Sequence, residues 1–175
     1  MKEKETITHS EIQTWLICRR RHEFAYRHQI RGVERPGYGS LEFGSDVHGW
    51  MGRLHGGEDK KSVLGDIADK YADNGENDSN ILKYNGLASG YVLTYTCSLR
   101  FVEVEKVFSI SVDAITNLGG RIDGIVVSPY GYSIYELKTT SHFGEAFITA
   151  LRQSRKTHIY RLGAKGLRYD VHGIT

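Results

Sequence analysis

"GGRIDGIVVSPYGYSIYELKTT", residues 119–140, decides the fold. "GRIDGIVV" and "YSIYELKT" are runs of β-branched and aromatic residues, the composition of strands. The "SPYG" between them carries the proline and glycine of a hairpin turn. Three charged side chains interrupt this hydrocarbon: Asp123, Glu136 and Lys138. On an extended chain Glu136 and Lys138 are two apart and share one face of the sheet, with Leu137 on the other. The turn pairs the two strands, so Asp123 reaches the same end of the sheet. Neighbouring carboxylates repel unless a proton or a cation lies between them. Their hard oxygens favour Mg²⁺ or Mn²⁺. A lysine beside them can orient water or hold charge developing on a phosphate. The plainer alternative is a salt bridge from Lys138 to Glu136 or Asp123. An isolated E-x-K would favour that alternative; D-x12-E-x-K across a tight turn, with basic stretches elsewhere, favours metal chemistry.

Upstream, "FVEVEKVFSISVDAI" (101–115) alternates Val102, Val104, Phe108, Ile110 and Val112 with Glu103, Glu105, Ser109 and Ser111, and predicts another strand. One of the two glutamates could face the site as a further acid; solvent-facing alternation explains both as well, and is preferred for Glu103. Downstream, "GEAFITALRQSRKTHIYRLGAKGL" (144–167) predicts one helix with Phe147, Leu151 and Ile159 or Tyr160 inward, and "RYDVHGIT" a last strand. The first hundred residues read as helical. A helix over about 10–28 starts at a Ser10/Gln13 capping box. "RGVERPGYGSLEFG" breaks it, and a second starts near Leu41 or Ser45, carries Val47, His48, Trp50, Met51 and Leu54, and stops at "HGGEDKK". "KSVLGDIADKYADN" and "ILKYNGLASGYVLTYTCSLR" predict two more. The expectation is an α/β (α+β) fold with a mixed sheet flanked by helices, one domain over 1–175, mainly helical over 1–100 and carrying the catalytic sheet and last helix over 101–175.

The bulk numbers exclude several classes. A chain of 175 residues, 39% hydrophobic and 25% charged, suits one soluble domain with a core. No apolar run approaches the roughly 18 residues of a membrane helix. "MKEKETITHSE" has no apolar signal core, which makes the cytoplasm the default location. Cys18 and Cys97 cannot make a four-thiolate site alone; the simple expectation is two reduced, partly buried thiols. Net charge is only +2 but unevenly spread. Residues 19–35 hold six arginines against two glutamates, and residues 151–175 six basic residues against one aspartate. Two basic stretches flanking a neutral middle suggest a polyanion, unless they are solvated helix faces.

Here the residues carry a resemblance. "GRIDGIV" followed by "YELKTT" resembles the core of the PD-(D/E)XK nucleases, in particular the RecB/Cas4-like branch. Ser10, Ile12, Trp15, Cys18, Arg21 and Phe24 resemble that branch's S-x-I-x-x-W-x-x-C-x-x-R-x-x-F opening helix. Gly44 and His48 resemble its G-x-x-x-H helix, and "VEVEKVFSI" the strand before the aspartate. The resemblance implies a restriction-endonuclease-like core and a DNA-hydrolysing enzyme dependent on Mg²⁺ or Mn²⁺. It implies a metal held by His48, Asp123, Glu136 and the Leu137 carbonyl, with Lys138 positioning the attacking water. An exonuclease in recombination or repair is the implied role, with a phage or mobile-element origin and host cytoplasm as its setting. DNA is the implied partner, a recombination or helicase protein a compatible one. The branch's Q-x-x-x-Y is matched by Tyr160, but Lys156 stands at the glutamine position and Gln153 three residues before it. Gln153 contacts substrate or lies on the surface; Lys156 can replace the glutamine by touching phosphate. Arg19, Arg20 and Arg21 would grip backbone phosphates. No cysteine follows Cys97, so the resemblance implies no iron–sulfur cluster and leaves Cys18 a packed thiol; Trp15 reads as a core residue rather than a stacking platform. The chain reads as the bare nuclease module. The competing reading is a non-catalytic DNA-binding or assembly subunit on the same fold, its acids kept as salt bridges.

Overall fold

A computed structural model describes residues 4–30, 40–72, 78–95, 99–140 and 144–174. Strand β1 (Glu5–Thr8) leads directly into α1 (His9–Ile17), and α2 (Arg19–His22) runs on into a π-helical turn over Glu23–Arg27. Three helices follow: α3 (Ser40–His55), α4 (Lys60–Ala72) and α5 (Asp78–Tyr95). Then come β2 (Arg100–Ser111), β3 (Thr116–Ser128), β4 (Gly131–Tyr135), α6 (Glu145–Arg152), α7 (Arg155–Gly166) and β5 (Val171–Ile174).

The sheet is mixed, as the sequence predicts. β2, β3 and β4 are antiparallel neighbours, while β1 pairs with β3 and β5 with β4 in parallel. The β3–β4 hairpin turns where the sequence places it, with Ser128 opposite Gly131. Gly131 has φ +110°, a left-handed backbone that favours glycine.

β3 organises everything else. β2 lies along one edge of it from Asn117 to Val127. The other edge is shared. β1 covers Thr116–Gly119 and β4 covers Gly124–Ser128. β1 runs with β3 and β4 runs against it, so their C-terminal ends point at one another. Between them the edge of β3 from Gly120 to Asp123 is left unpaired by either strand, and the sheet forks there. The residues that follow the two strand ends, His9 and Glu136, therefore enter the same gap.

Two apolar clusters hold this frame. One joins α3, α4 and α5 through Val47, Trp50, Met51, Val63, Ile67, Tyr84 and Ala88, and Leu137 packs against it. The other joins the sheet to α7 through Phe108, Ile122, Ile125, Ile134, Tyr160, Ala164 and Val171. Ile122, Ile125, Ile134, Val47 and Val63 are essentially inaccessible to solvent. Each contributes about 1.5–3 kcal/mol against exposure.

The element boundaries depart from expectation in five places. The first helix starts one residue earlier, with Thr8 rather than Ser10 as N-cap, its side chain accepting from the Glu11 N–H. It also breaks at Cys18, whose backbone is extended. β1 was not anticipated; four residues of half-exposed strand carry too little pattern to be read. β4 stops at Tyr135, so Glu136 and Lys138 follow the strand instead of lying in it. The expected 144–167 helix is two helices, because Ser154 turns its hydroxyl back onto the Lys156 N–H and caps a new start. Gln153 thus ends α6 and is exposed, on a different helix from Tyr160.

Candidate functional site

The site is built at the fork. Asp123 is the last residue of the unpaired β3 segment, and its side chain is 10% exposed. Its Oδ2 accepts a hydrogen bond from the Leu137 N–H at 3.0 Å, which ties the stretch after β4 to β3. Helix α3 crosses above and delivers His48, whose Nδ1 lies 3.5 Å from Asp123 Oδ2. Gly44, His48 and Gly52 are spaced four apart and share one helix face. A Cβ on Gly44 would lie 3.0 Å from Thr139 Oγ1, and one on Gly52 would lie 3.3 Å from Glu105 Cγ. Glycines at both ends of that face let the helix approach closely enough for His48 to reach Asp123.

Glu105 completes the group. His48, Glu105 and Asp123 each offer one donor atom, and these atoms all lie within 4.8 Å of one another. An imidazole nitrogen with two hard carboxylate oxygens at this spacing fits a divalent ion such as Mg²⁺ or Mn²⁺. The three line an open cleft with Met51, Val104 and Leu137. Val104 and Glu105 are consecutive yet face the same cleft, because Glu105 has φ +49°. That left-handed backbone on a non-glycine residue inside a strand costs on the order of 1 kcal/mol. A register shift between Phe101 and Glu103 precedes it. The regular alternation therefore breaks, and the two glutamates part company. Glu103 turns to Lys106 (2.9 Å) and the Tyr169 hydroxyl (3.0 Å). Glu105 turns to the cleft and to Arg121, 2.8 Å away.

Glu136 stands beside this group but not within the 4.8 Å cluster. Its Oε1 accepts from Lys138 at 2.5 Å and from Lys156 at 2.7 Å. Its Oε2 is buried with no hydrogen-bond partner, as is Nε2 of His9 across the fork. Lys156 reaches Glu136 from the first turn of α7 and lies 4.8 Å from the centre of the Tyr160 ring. Burial alone would lower the Lys156 ammonium, but the Glu136 hydrogen bond and the charges of Glu136 and Asp123 outweigh it and hold it above its ordinary value. Asp123 is pushed up, first by burial and then by the charge of Glu136. The Tyr160 phenol is raised for the same two reasons. His9 is lowered by burial and by Lys156. A divalent cation in the cleft would offset the crowding of negative charge that Asp123 feels.

The sequence-predicted residues thus fall into three groups. His48 and Asp123 meet at the cleft. Glu136, Lys138, Lys156 and Tyr160 form a second layer next to it, with the Leu137 N–H spent on Asp123. Arg19, Arg20 and Arg21 are exposed on α2, and Gln153 is exposed at the end of α6. Glu105 is the further acid, and Arg121 is the addition. The sequence signal for Arg121 is its place two residues before Asp123 on the same strand, a spacing that puts both on one face. His55 also lines the cleft. Its Nε2 is 2.6 Å from the Tyr91 hydroxyl, which is 2.6 Å from that of Tyr135. Burial holds His55 down at about 4, so it closes the back of the cleft as a neutral ring. Cys18 is exposed instead of packed, and its sulfur caps α2 at the Arg21 N–H. Cys97 lies outside the described residues. Trp15 is exposed, not in the core.

No helix among the described residues is long and apolar enough to cross a membrane. No curated protein matches the chain. The sequence profile of the PD-(D/E)XK nuclease superfamily matches residues 6–170. That span takes in β1, the fork, the α3 histidine and the E-x-K segment. That match covers most of the chain and a mixed sheet flanked by helices, and the chain is a member of the PD-(D/E)XK nuclease superfamily.

Proposed function

We propose that the protein is a divalent-metal-dependent nuclease that hydrolyses phosphodiester bonds in DNA, acting as an exonuclease in recombination or repair. The observation that carries the reading is the approach of His48, Glu105 and Asp123 to within 4.8 Å, next to a glutamate linked to two lysines. His48, Glu105 and Asp123 would hold the ion, with Glu136 and the Leu137 carbonyl as the further ligands that the family pattern suggests. When bound, Mg²⁺ or Mn²⁺ supplies Lewis-acid polarisation of the phosphate and activation of water. The chain's own groups do the rest. Lys138 and Lys156 present ammonium groups to the phosphate oxygens as negative charge grows there. Lys138 aligns water for in-line attack. Glu136 Oε2 has no hydrogen-bond partner and is the oxygen of that carboxylate left over for the ion. Arg121 at the rim, with Arg19, Arg20, Arg21 and Gln153 further out, would bind flanking nucleotides.

One observation favours a second reading. Glu136 Oε1 is closed off by two lysines, as it would be in a DNA-binding or assembly subunit that keeps its acids as salt bridges. The test is incubation of labelled linear and circular DNA with Mn²⁺, Mg²⁺ or EDTA. Wild type is compared with Asp123→Ala and Lys138→Ala. Metal-dependent loss of linear but not circular DNA, abolished by both substitutions, is the expected result. Cutting of circles would make the enzyme an endonuclease. No cleavage with either metal would leave only the second reading.

A further inference from the structure

The N-terminal helices expose an unusual amount of aromatic and apolar surface. α1, α2 and the π-helical turn bury no residue. Trp15 is 44% exposed, whereas Trp50, in the α3 core, is 7% exposed. Phe24 and Tyr26 are exposed as well. Guanidinium groups lie over two of these rings. Arg19 sits 4.8 Å from the centre of the Trp15 ring, and its neighbour Arg20 sits 5.6 Å from that of Phe24. His22 stacks on Tyr26 at 5.3 Å, and Phe24 is 6.2 Å from His28. A 3.0 Å contact between His22 and Glu11 ties the second helix back onto the first. The break at Cys18 and the π turn over Glu23–Arg27 set these side chains on a bent support, not on one straight helix.

Arginines and exposed rings together suit one class of partner. Duplex DNA offers phosphates and grooves but no base faces, and exposed rings gain little there. Single-stranded DNA offers both a phosphate chain and unpaired π faces. The surface is also continuous with the site. His9 is the first residue of α1, and it lies close enough to Lys156, Glu136 and Lys138 for their charges to act on it. Trp15 is six residues further along the same helix, about 9 Å along its axis. A strand leaving the fork along α1 meets Trp15 within a few nucleotides.

We propose that Trp15, Phe24 and Tyr26, with Arg19 and Arg20 over two of the rings, form a stacking platform that carries the bases of single-stranded DNA to the nuclease site. The inference rests on the nuclease reading for its substrate, and names that substrate's form. It is tested with the full-length Asp123→Ala protein in EDTA, where nothing is cut, so a failure here is separate from a failure of hydrolysis. The probe is oligothymidylate of about 16 nucleotides, the upper site size of a single-strand binding module. The control is an abasic oligomer of the same length and charge. Oligothymidylate is expected to quench tryptophan emission, and to bind at least about fivefold more tightly than the abasic chain, since each stacked base contributes about 1–3 kcal/mol. Trp15→Ala should remove the quenching, because Trp50 is buried, and Phe24→Ala should weaken binding by a similar factor while retaining the quenching. Both substitutions are at exposed positions, and circular dichroism checks that the fold is kept. Equal affinity for the thymidylate and abasic chains with no change in emission overturns the proposal, as does tighter binding of a matched duplex.

Discussion

Glu105 is the residue on which the metal reading turns. A glutamate with φ +49° in the middle of a strand is held there against its backbone preference. The strain places its carboxylate at the cleft, 2.8 Å from Arg121 and within 4.8 Å of donors on His48 and Asp123. Glycine would adopt the same backbone freely but would bring no ligand. Glu105→Gly is therefore expected to leave the melting temperature of the metal-free protein unchanged or slightly raised. The relieved strain, on the order of 1 kcal/mol, offsets the greater freedom of the unfolded chain. The lost ion pair with Arg121 is half in solvent and contributes little. The same substitution should abolish most of the stabilisation by Mn²⁺. That stabilisation is about 2.7 kcal/mol in wild type when Mn²⁺ is at a hundred times its dissociation constant. Thermal melts with and without Mn²⁺ measure both effects. Equal Mn²⁺ shifts in wild type and variant would remove Glu105 from the ligand set. The sequence offers one of Glu103 and Glu105 as a further acid and favours solvent for Glu103, but it carries no local signal that Glu105 turns inward. Regular alternation puts them on one face, and only a register shift and a positive φ separate them.

At the scale of elements, the antiparallel strands were legible because their hydrophobic runs and turn residues are local signals. The helix α3 was legible for the same reason, down to the histidine on its face. What stayed hidden depends on neighbours distant in sequence. β1 exists because Thr116–Gly119 offers it an edge, and nothing within its four residues says so. The α6–α7 break is one hydroxyl choosing a backbone N–H, which competes with a helical pattern that runs straight through. The packing of α7 onto β3 is another case. Gly163 reads as a weakness in a helix, and alanine there should add about 1 kcal/mol by propensity. In the structure a Cβ at Gly163 would lie 2.6 Å from the Phe108 ring, and one at Gly120 on β3 would lie 2.8 Å from the same ring. Phe108 is 2% exposed and is clamped between helix and sheet. Gly163→Ala is accordingly expected to destabilise the protein by about 1–3 kcal/mol despite the propensity gain. Adding Phe108→Leu should recover part of the loss, a coupling that urea denaturation of the four proteins in the cycle would measure. A Gly163→Ala protein more stable than wild type would show that the α7–β3 interface is looser than this packing requires.

Over the whole molecule, the helix that leads into the arginines of α2 meets the basic helix near the other end of the chain. Helix α1 rests on α7, and α2 with Arg19, Arg20 and Arg21 continues from α1. The net charge of +2 conceals this, because the acids cluster elsewhere, in the cleft and on α3 and α4. Composition could report two basic runs; their convergence needed β1 to pair with β3 and carry α1 across the fork. A polyanion lying over α2 and α7 would meet both runs together, so its binding should be strongly salt-dependent. Each single-strand phosphate neutralised contributes about 0.7 to the slope of log affinity against log salt concentration. Replacing Arg19, Arg20 and Arg21 together by glutamine should lower that slope by up to about 2. Asp123→Ala should leave it unchanged, because a carboxylate neutralises no phosphate and releases no counterion. Fluorescence anisotropy of labelled single-stranded DNA in EDTA, between about 50 and 200 mM salt, covers the range in which the difference is largest. The glutamine variant should then converge on wild type at high salt, where screening suppresses the arginine contribution and stacking persists. If the two lines run parallel across the whole range, these arginines touch no phosphate, and the polyanion follows some other path into the fork.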